Sequence, residues 1–156
     1  MNNTNETVAT YKTNIEVKEI VSLKQVKIAR LDWIVCSSFQ LANKLIDEIG
    51  SSSQEILMVI GLNTKNEVNF LSKVFVGGIN SATVEPGAIF QRLLLSNCRS
   101  FIIAHNHPSG EVTPSEQDIN FTERIKKCGK ILGIELIDSI IVGDEYYYSM
   151  AEEKQL

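Results

Sequence analysis

Hydrophobic positions in this chain fall into short blocks with two kinds of spacing. Within residues 38–49 (SFQLANKLIDEI), Phe39, Leu41, Ala42, Leu45 and Ile46 recur at helical intervals and line one face. Ser37 or Ser38 offers an N-cap, Gly50 a C-terminal stop, and Ser51–Ser53 a linker. Residues 55–62 (EILMVIGL) are a nearly continuous apolar run, and at that length a buried strand is favoured over a helix. The turn-forming stretch 63–66 (NTKN) and the block 68–76 (VNFLSKVFV) then predict a hairpin, closed by Gly77-Gly78. A helix over about 87–97 follows Pro86, with Ile89, Phe90, Leu93 and Leu94 inward. Residues 101–104 (FIIA) read as another buried strand, and 105–114, with two His, two Pro and a Gly, as a loop. The spacing over 115–129 predicts a helix placing Ile119, Ile125 and Cys128 against the core. Residues 134–143 and 146–150 predict a last hairpin around Gly143-Asp144, and 15–22 (IEVKEIVS) an early strand. Strands and helices alternate without a strict βαβ rhythm, which predicts an α/β chain with a mixed central sheet flanked by helices.

The length of 156 residues fits one domain, taken as 14–156 behind a flexible, Asn/Thr-rich segment 1–13. No apolar run approaches the ~18–20 residues that span a bilayer, and the polar N-terminus lacks the pattern of a secretory signal. A cytoplasmic protein without a membrane partner is expected. Acidic and basic residues balance through residue 115, and the net charge of −4 arises in the last 41 residues, with nine acids against five bases. That distribution does not support DNA as a partner, since nucleic-acid binders usually show a clustered basic footprint. Cys36, Cys98 and Cys128 are widely spaced and form no C-x-x-C, so reduced and largely buried thiols are expected. Gly77-Gly78 lacks the surroundings of a phosphate cradle. Tyr146–Tyr148 read as strand packing rather than a base-stacking platform.

The only two histidines stand two apart, in His105-Asn106-His107, directly after the FIIA block. In extended chain, i and i+2 point to the same side, so both imidazoles would project together from the end of a buried strand. Eleven residues after His107, Asp118 falls in the first turn of the helix expected after Pro114-Ser115. A carboxylate is favoured there by the helix dipole and can fold back toward the histidines. Two His and one carboxylate would give a catalytic zinc its three protein ligands and leave the fourth position for water. Glu55, opening an apolar strand, is the best remote candidate for a general base, and Ser115 can offer its hydroxyl to the same cavity. Ser115-x-x-Asp118 equally fits a helix-capping pattern, and Glu55 equally fits an exposed strand start.

The string His105-Asn106-His107-Pro108-Ser109-Gly110, followed by Pro114-Ser115 and Asp118, resembles the signature of the RadC-like JAB domain, part of the JAMM (MPN+) metalloprotease group. Glu55, His105, His107, Pro108, Ser115 and Asp118 match its E…H-x-H-P-x₆-S-x-x-D pattern, and the likeness runs over 55–149. The resemblance implies a cytidine-deaminase-like, three-layer α/β fold. It implies one zinc ion per chain held by His105, His107 and Asp118, with Glu55 as general acid/base and Ser115 supporting the oxyanion. It also implies a zinc-dependent hydrolase acting on peptide or isopeptide bonds of a peptide or protein substrate. The alternative it carries is a non-catalytic binding module associated with DNA repair. The chain lacks the P-C-x-x-C thiolates of related deaminases, which argues against deamination. The first 50 residues show no helix-hairpin-helix pattern, as in a short form of the family, and Asp138-Ser139 stands where the family often has Asp-His.

Overall fold

Alternation along the central strands sorts the apolar side chains onto two faces, and helices cover both. The computed structural model describes residues 33–77 and 84–156, so the expectations for 1–13, for the 15–22 strand and for Gly78 lie outside the described residues. Helix α1 (Ser38–Leu45) runs into a π-helical turn (Ile46–Gly50). Then follow β1 (Ile56–Leu62), β2 (Val68–Val76), α2 (Pro86–Leu95), β3 (Ser100–Asn106), α3 (Glu116–Leu132), β4 (Glu135–Val142) and β5 (Tyr147–Ser149). The strands form one mixed sheet in the order β2-β1-β3-β4-β5. Among the described residues only β3 and β4, joined through α3, pair in parallel; β1–β2, β1–β3 and β4–β5 are antiparallel.

Strand β1 sends Leu57 and Val59 to one face, where β3 adds Phe101 and Ile103, and α2 and α3 cover them with Ile89, Phe90, Leu93, Phe121 and Ile125. Ile56, Met58, Ile60 and Leu62 face the other way, join Ile102 and Ala104, and are covered by Leu41, Ala42 and Leu45 of α1 with Ile49 of the π turn. Burial on both faces is why β1 and β3 are written as unbroken apolar runs. Each fully buried Leu, Ile or Phe stabilises this three-layer arrangement by about 1.5–3 kcal/mol.

The helices and strands predicted within the described residues are all found, with differences that have identifiable causes. Residues 105 and 106 belong to β3 rather than to the loop, because His105 pairs with Leu57 and Ile141, and Asn106 with Val142. Phe39 is 60% exposed at the edge of α1, against the Tyr147 ring at 6.3 Å. Leu94 and Ile119 are also exposed, because the stripes meeting the sheet are Ile89-Phe90-Leu93 on α2 and Phe121-Thr122-Ile125 on α3. Cys36 is exposed, Cys128 half-buried and Cys98 buried; burial pushes the Cys98 thiol up to about 11, so it stays protonated. Tyr147 lies in β5, whereas Tyr146 is mostly exposed.

One polar residue ties the layers together. Asp138 of β4 is buried, and its Oδ2 accepts from Ser38 Oγ at 2.7 Å and Ser149 Oγ at 2.6 Å. Its Oδ1 accepts from the amides of Ser139 at 2.7 Å and Ala151 at 3.1 Å. Four donors from α1, β4, β5 and the C-terminal turns thus satisfy one buried carboxylate. Ser37 is the N-cap of α1, accepting from Gln40 N, which frees Ser38 for Asp138. Among the described residues no helix is long and apolar enough to cross a membrane.

Candidate metal centre

Pairing with β1 on one side and β4 on the other carries β3 two residues past the apolar FIIA block, and this delivers His105 in extended backbone. His107 N donates to Val142 O at 3.0 Å, so the chain keeps its direction one residue beyond the strand. Period two then brings both rings to the α3 side, with centroids 4.9 Å apart and Nε2 to Nε2 at 3.0 Å. The loop turns back through Gly110, whose φ of 78° lies in the left-handed region that favours glycine. It returns the Glu111 carbonyl to within 2.6 Å of His107 Nδ1. A carbonyl only accepts, so Nδ1 carries a hydrogen; Nε2 faces Asp118, donating to it when the ring is protonated and presenting a lone pair when the ring is neutral. Glu111 is itself held by Thr113, whose amide and hydroxyl both donate to its carboxylate.

Asp118 reaches the histidines from the third residue of α3. Ser115 is the N-cap and forms a complete capping box with it. Ser115 Oγ accepts from Asp118 N at 3.2 Å, and Asp118 Oδ2 accepts from Ser115 N at 2.8 Å and Ser115 Oγ at 2.6 Å. Oδ1 lies 3.2 Å from His105 Nε2, and Oδ2 3.4 Å from His107 Nε2. Burial pushes Asp118 up, but hydrogen bonds from His105 and His107, the charge of His105 and the Ser115 bond outweigh it and hold the carboxyl well below the usual carboxylate range. Asp118 is therefore an anion at neutral pH. The hydrogen bond with Asp118 raises His107 above its ordinary value; burial opposes this, while the Glu111 carbonyl and the Asp118 and Glu55 charges add to it.

Glu55 arrives from the residue before β1. One donor atom each from Glu55, His105, His107 and Asp118 lies within 4.8 Å of all the others. Three separated stretches of chain thus place two nitrogens and two carboxylates around one point, a set that could hold a metal ion. Ser115 is adjacent, with its hydroxyl engaged in the helix cap. At 139, Ser139 Oγ shares a hydrogen bond of 2.9 Å with Thr122 Oγ1, one helical turn beyond Asp118.

The sequence patterns do not single out two neighbours that shape this centre. Asn106, between the histidines, points to the opposite face of β3 and is fully buried; strict alternation was the signal that separates it from them. Gly143, after β4, lies under the His107–Glu111 loop: a Cβ there would stand 2.7 Å from Gly110 O and 3.2 Å from Gly110 Cα. Backbone on backbone leaves no flexible side chain to yield. Gly143→Ala is expected to displace this loop, which orients His107, and to weaken metal affinity ~10–100-fold. A metal-binding titration on the variant measures this; an affinity within threefold of wild type would show that the loop does not set the ring.

Comparison with known proteins agrees with this architecture. Residues 34–156 match the RadC-like JAB domain. The chain belongs to that family. Its relatives include a UPF0758 protein of Clostridium perfringens (strain 13 / Type A), 43% identical over 131 residues, covering 83% of this chain and 58% of the relative. A UPF0758 protein of Clostridium beijerinckii is 44% identical over 129 residues, 83% of this chain and 56% of the relative. One from Clostridium botulinum (strain Loch Maree / Type A3) is 43% identical over 122 residues, 78% of this chain and 54% of the relative. The chain spans a little over half the length of the relatives it matches.

Proposed function

We propose that this chain is a zinc-dependent hydrolase of amide bonds in a peptide or protein substrate, with one ion per chain held by His105, His107 and Asp118. The observation that carries the reading is the convergence of these ligand atoms. His105 Nε2 and His107 Nε2 are 3.0 Å apart, and the Asp118 oxygens lie 3.2 and 3.4 Å from them. Ligands at ~2.0–2.1 Å from a tetrahedral zinc stand roughly 3.3 Å from one another, and these separations are of that size. With Nδ1 of His107 protonated toward Glu111, Nε2 of its neutral ring and the anionic Asp118 are electron-pair donors, and such a grouping favours a cation beside them.

Zinc, when bound, would acidify a water and polarise the scissile carbonyl. Glu55 sits within reach of the same point. It takes the proton from the attacking water and gives it to the departing amine, so that one carboxylate serves as base and then as acid. Ser115 acts by holding Asp118: its hydroxyl bonds Oδ2 and leaves Oδ1 turned toward His105. The Glu111 carbonyl holds His107 in the tautomer that can ligate.

Metal analysis tests the first half of this reading. Wild-type protein should bind one zinc per chain, and His107→Ala should lose it; full retention by the variant would remove His107 from the ligand set. Affinity should also depend on pH. His107 must shed a proton to ligate, and its proton affinity in the metal-free protein is raised. As pH is lowered, zinc binding should therefore begin to weaken while still above pH ~6.5, the ordinary imidazole value, and then fall about tenfold for each further unit. Competition titrations between roughly pH 5.5 and 8 measure this, and a flat profile would exclude a titrating imidazole ligand.

A further inference from the structure

We propose that Asn106 is a positioning residue for Glu55; this rests on the reading of Glu55 as the proton-transfer group. Asn106 sits between the two histidines and has no exposed surface. The alternation that aims the imidazoles at α3 turns Asn106 toward the α1 side, where the chain enters β1. There its carboxamide is fully used. Oδ1 accepts from Ile56 N at 2.8 Å, and Nδ2 donates to the carbonyls of Ser52 and Gln54, each at 3.2 Å. The Gln54 carbonyl and the Ile56 amide belong to the two peptide groups that flank Glu55. One buried side chain therefore binds the backbone on both sides of the carboxylate's own residue. Gly77 N completes the hold by donating to Glu55 O at 2.8 Å.

The sheet register shows why a side chain is needed at this place. The β1–β3 ladder runs from Leu62↔Ser100 to Leu57↔His105. One step further, Ile56 would face Asn106 in the ladder; there the carboxamide substitutes for main-chain pairing. A carboxamide offers an acceptor and two donors in one plane; aspartate has no donors, and leucine, of similar shape, has neither kind of group. The same residue that spaces the two histidines on β3 thereby fixes where Glu55 stands at the entry to β1. The relation between base and metal ligands is set through a single rigid link.

Asn106→Asp tests this, because it keeps the volume and the Oδ1 acceptor while setting an oxygen against the carbonyls of Ser52 and Gln54. Zinc is added to the full chain carrying ¹³C-labelled Glu and ¹⁵N-labelled His, as wild type and as variant. The ring nitrogens of His105 and His107 should respond alike in both proteins, with zinc affinity within about threefold, while the zinc response of the Glu55 carboxyl falls by more than half. Peptide hydrolysis should slow ~10–100-fold, and the same substitution on a Glu55→Gln background should add nothing, since a residue acting through Glu55 has no effect once that carboxylate is gone.

A Glu55 signal that responds to zinc as in wild type overturns the proposal. So does a variant whose histidines lose their response as well, or failure of both Asn106→Asp and Asn106→Ser to fold, since each assigns Asn106 to the fold as a whole. A wild type whose own histidines and glutamate ignore zinc overturns the metal reading and this inference with it, and is told apart because the unmutated chain is already silent.

Discussion

If the proposed function holds, changing Glu55 to Gln is expected to lower the rate of amide hydrolysis by ~10²–10⁴ while zinc remains bound at one ion per chain. Gln keeps the size and hydrogen-bonding shape of Glu but cannot take up a proton near neutral pH. The two imidazole Nε2 atoms lie 3.0 Å apart, and each lies within 3.4 Å of one Asp118 oxygen, so on the proposed reading these three residues hold the ion and the Glu55 carboxylate is left for proton transfer. The pairing of lost turnover with retained metal separates a proton-transfer group from a ligand. The measurement is zinc content by elemental analysis beside initial rates on a panel of unstructured polypeptides and lysine-isopeptide-linked peptides. A variant with full zinc and an unchanged rate would remove Glu55 from the chemistry. A variant that loses zinc would make Glu55 a fourth ligand.

The second large effect is on stability and lies away from the metal. Asp138→Ala is expected to destabilise the protein by at least ~3 kcal/mol, since it strands four buried or half-buried donors at once and each costs about 1–3 kcal/mol when left unmet. For a chain of this size that corresponds to roughly 6–12 °C in Tm. Asp138→Asn should cost less. Ser38 and Ser149 contribute hydroxyls, which can turn and accept from the new amide, whereas the Ser139 and Ala151 amides can only donate. Urea and thermal unfolding of the two variants give the comparison. A loss below ~1 kcal/mol for Asp138→Ala would mean that water replaces the carboxylate and that the layers do not depend on it.

The parts of this molecule that were legible in its sequence are those whose cause is local. Strand β2 begins and ends where the turn residues and the double glycine place it, and β1 is recognisable because both its faces are covered. His-x-His and Ser-x-x-Asp are short-range patterns with short-range geometry: period two along β3, and one turn of helix at the start of α3. What periodicity could not settle is which part of an apolar stripe finds a partner. Phe39, Leu94 and Ile119 carry helical spacing but lie at the margins, where the neighbouring layer has ended. Asn106 and Asp138 escape notice for a different reason. The partners of Asn106 lie 50 to 54 residues away, and Ser38, which ties Asp138 to the α1 layer, lies 100 away, so no short window of sequence contains both ends of these bonds. The full extent of β3 was hidden likewise, because His105 and Asn106 are held in the strand by pairing rather than by propensity.

The attachment of residues 52–54 to Asn106 has a bearing on how this protein can change over time. Every bond there is made to a carbonyl or an amide of the main chain, while the side chains of Ser53 and Gln54 stay exposed. Substitution at those two positions leaves the attachment intact, whereas proline at 56 would delete the amide it uses. An insertion or deletion between the π turn and β1 would move the carbonyls themselves. Selection on this stretch should therefore act on its length and leave its letters largely free to drift.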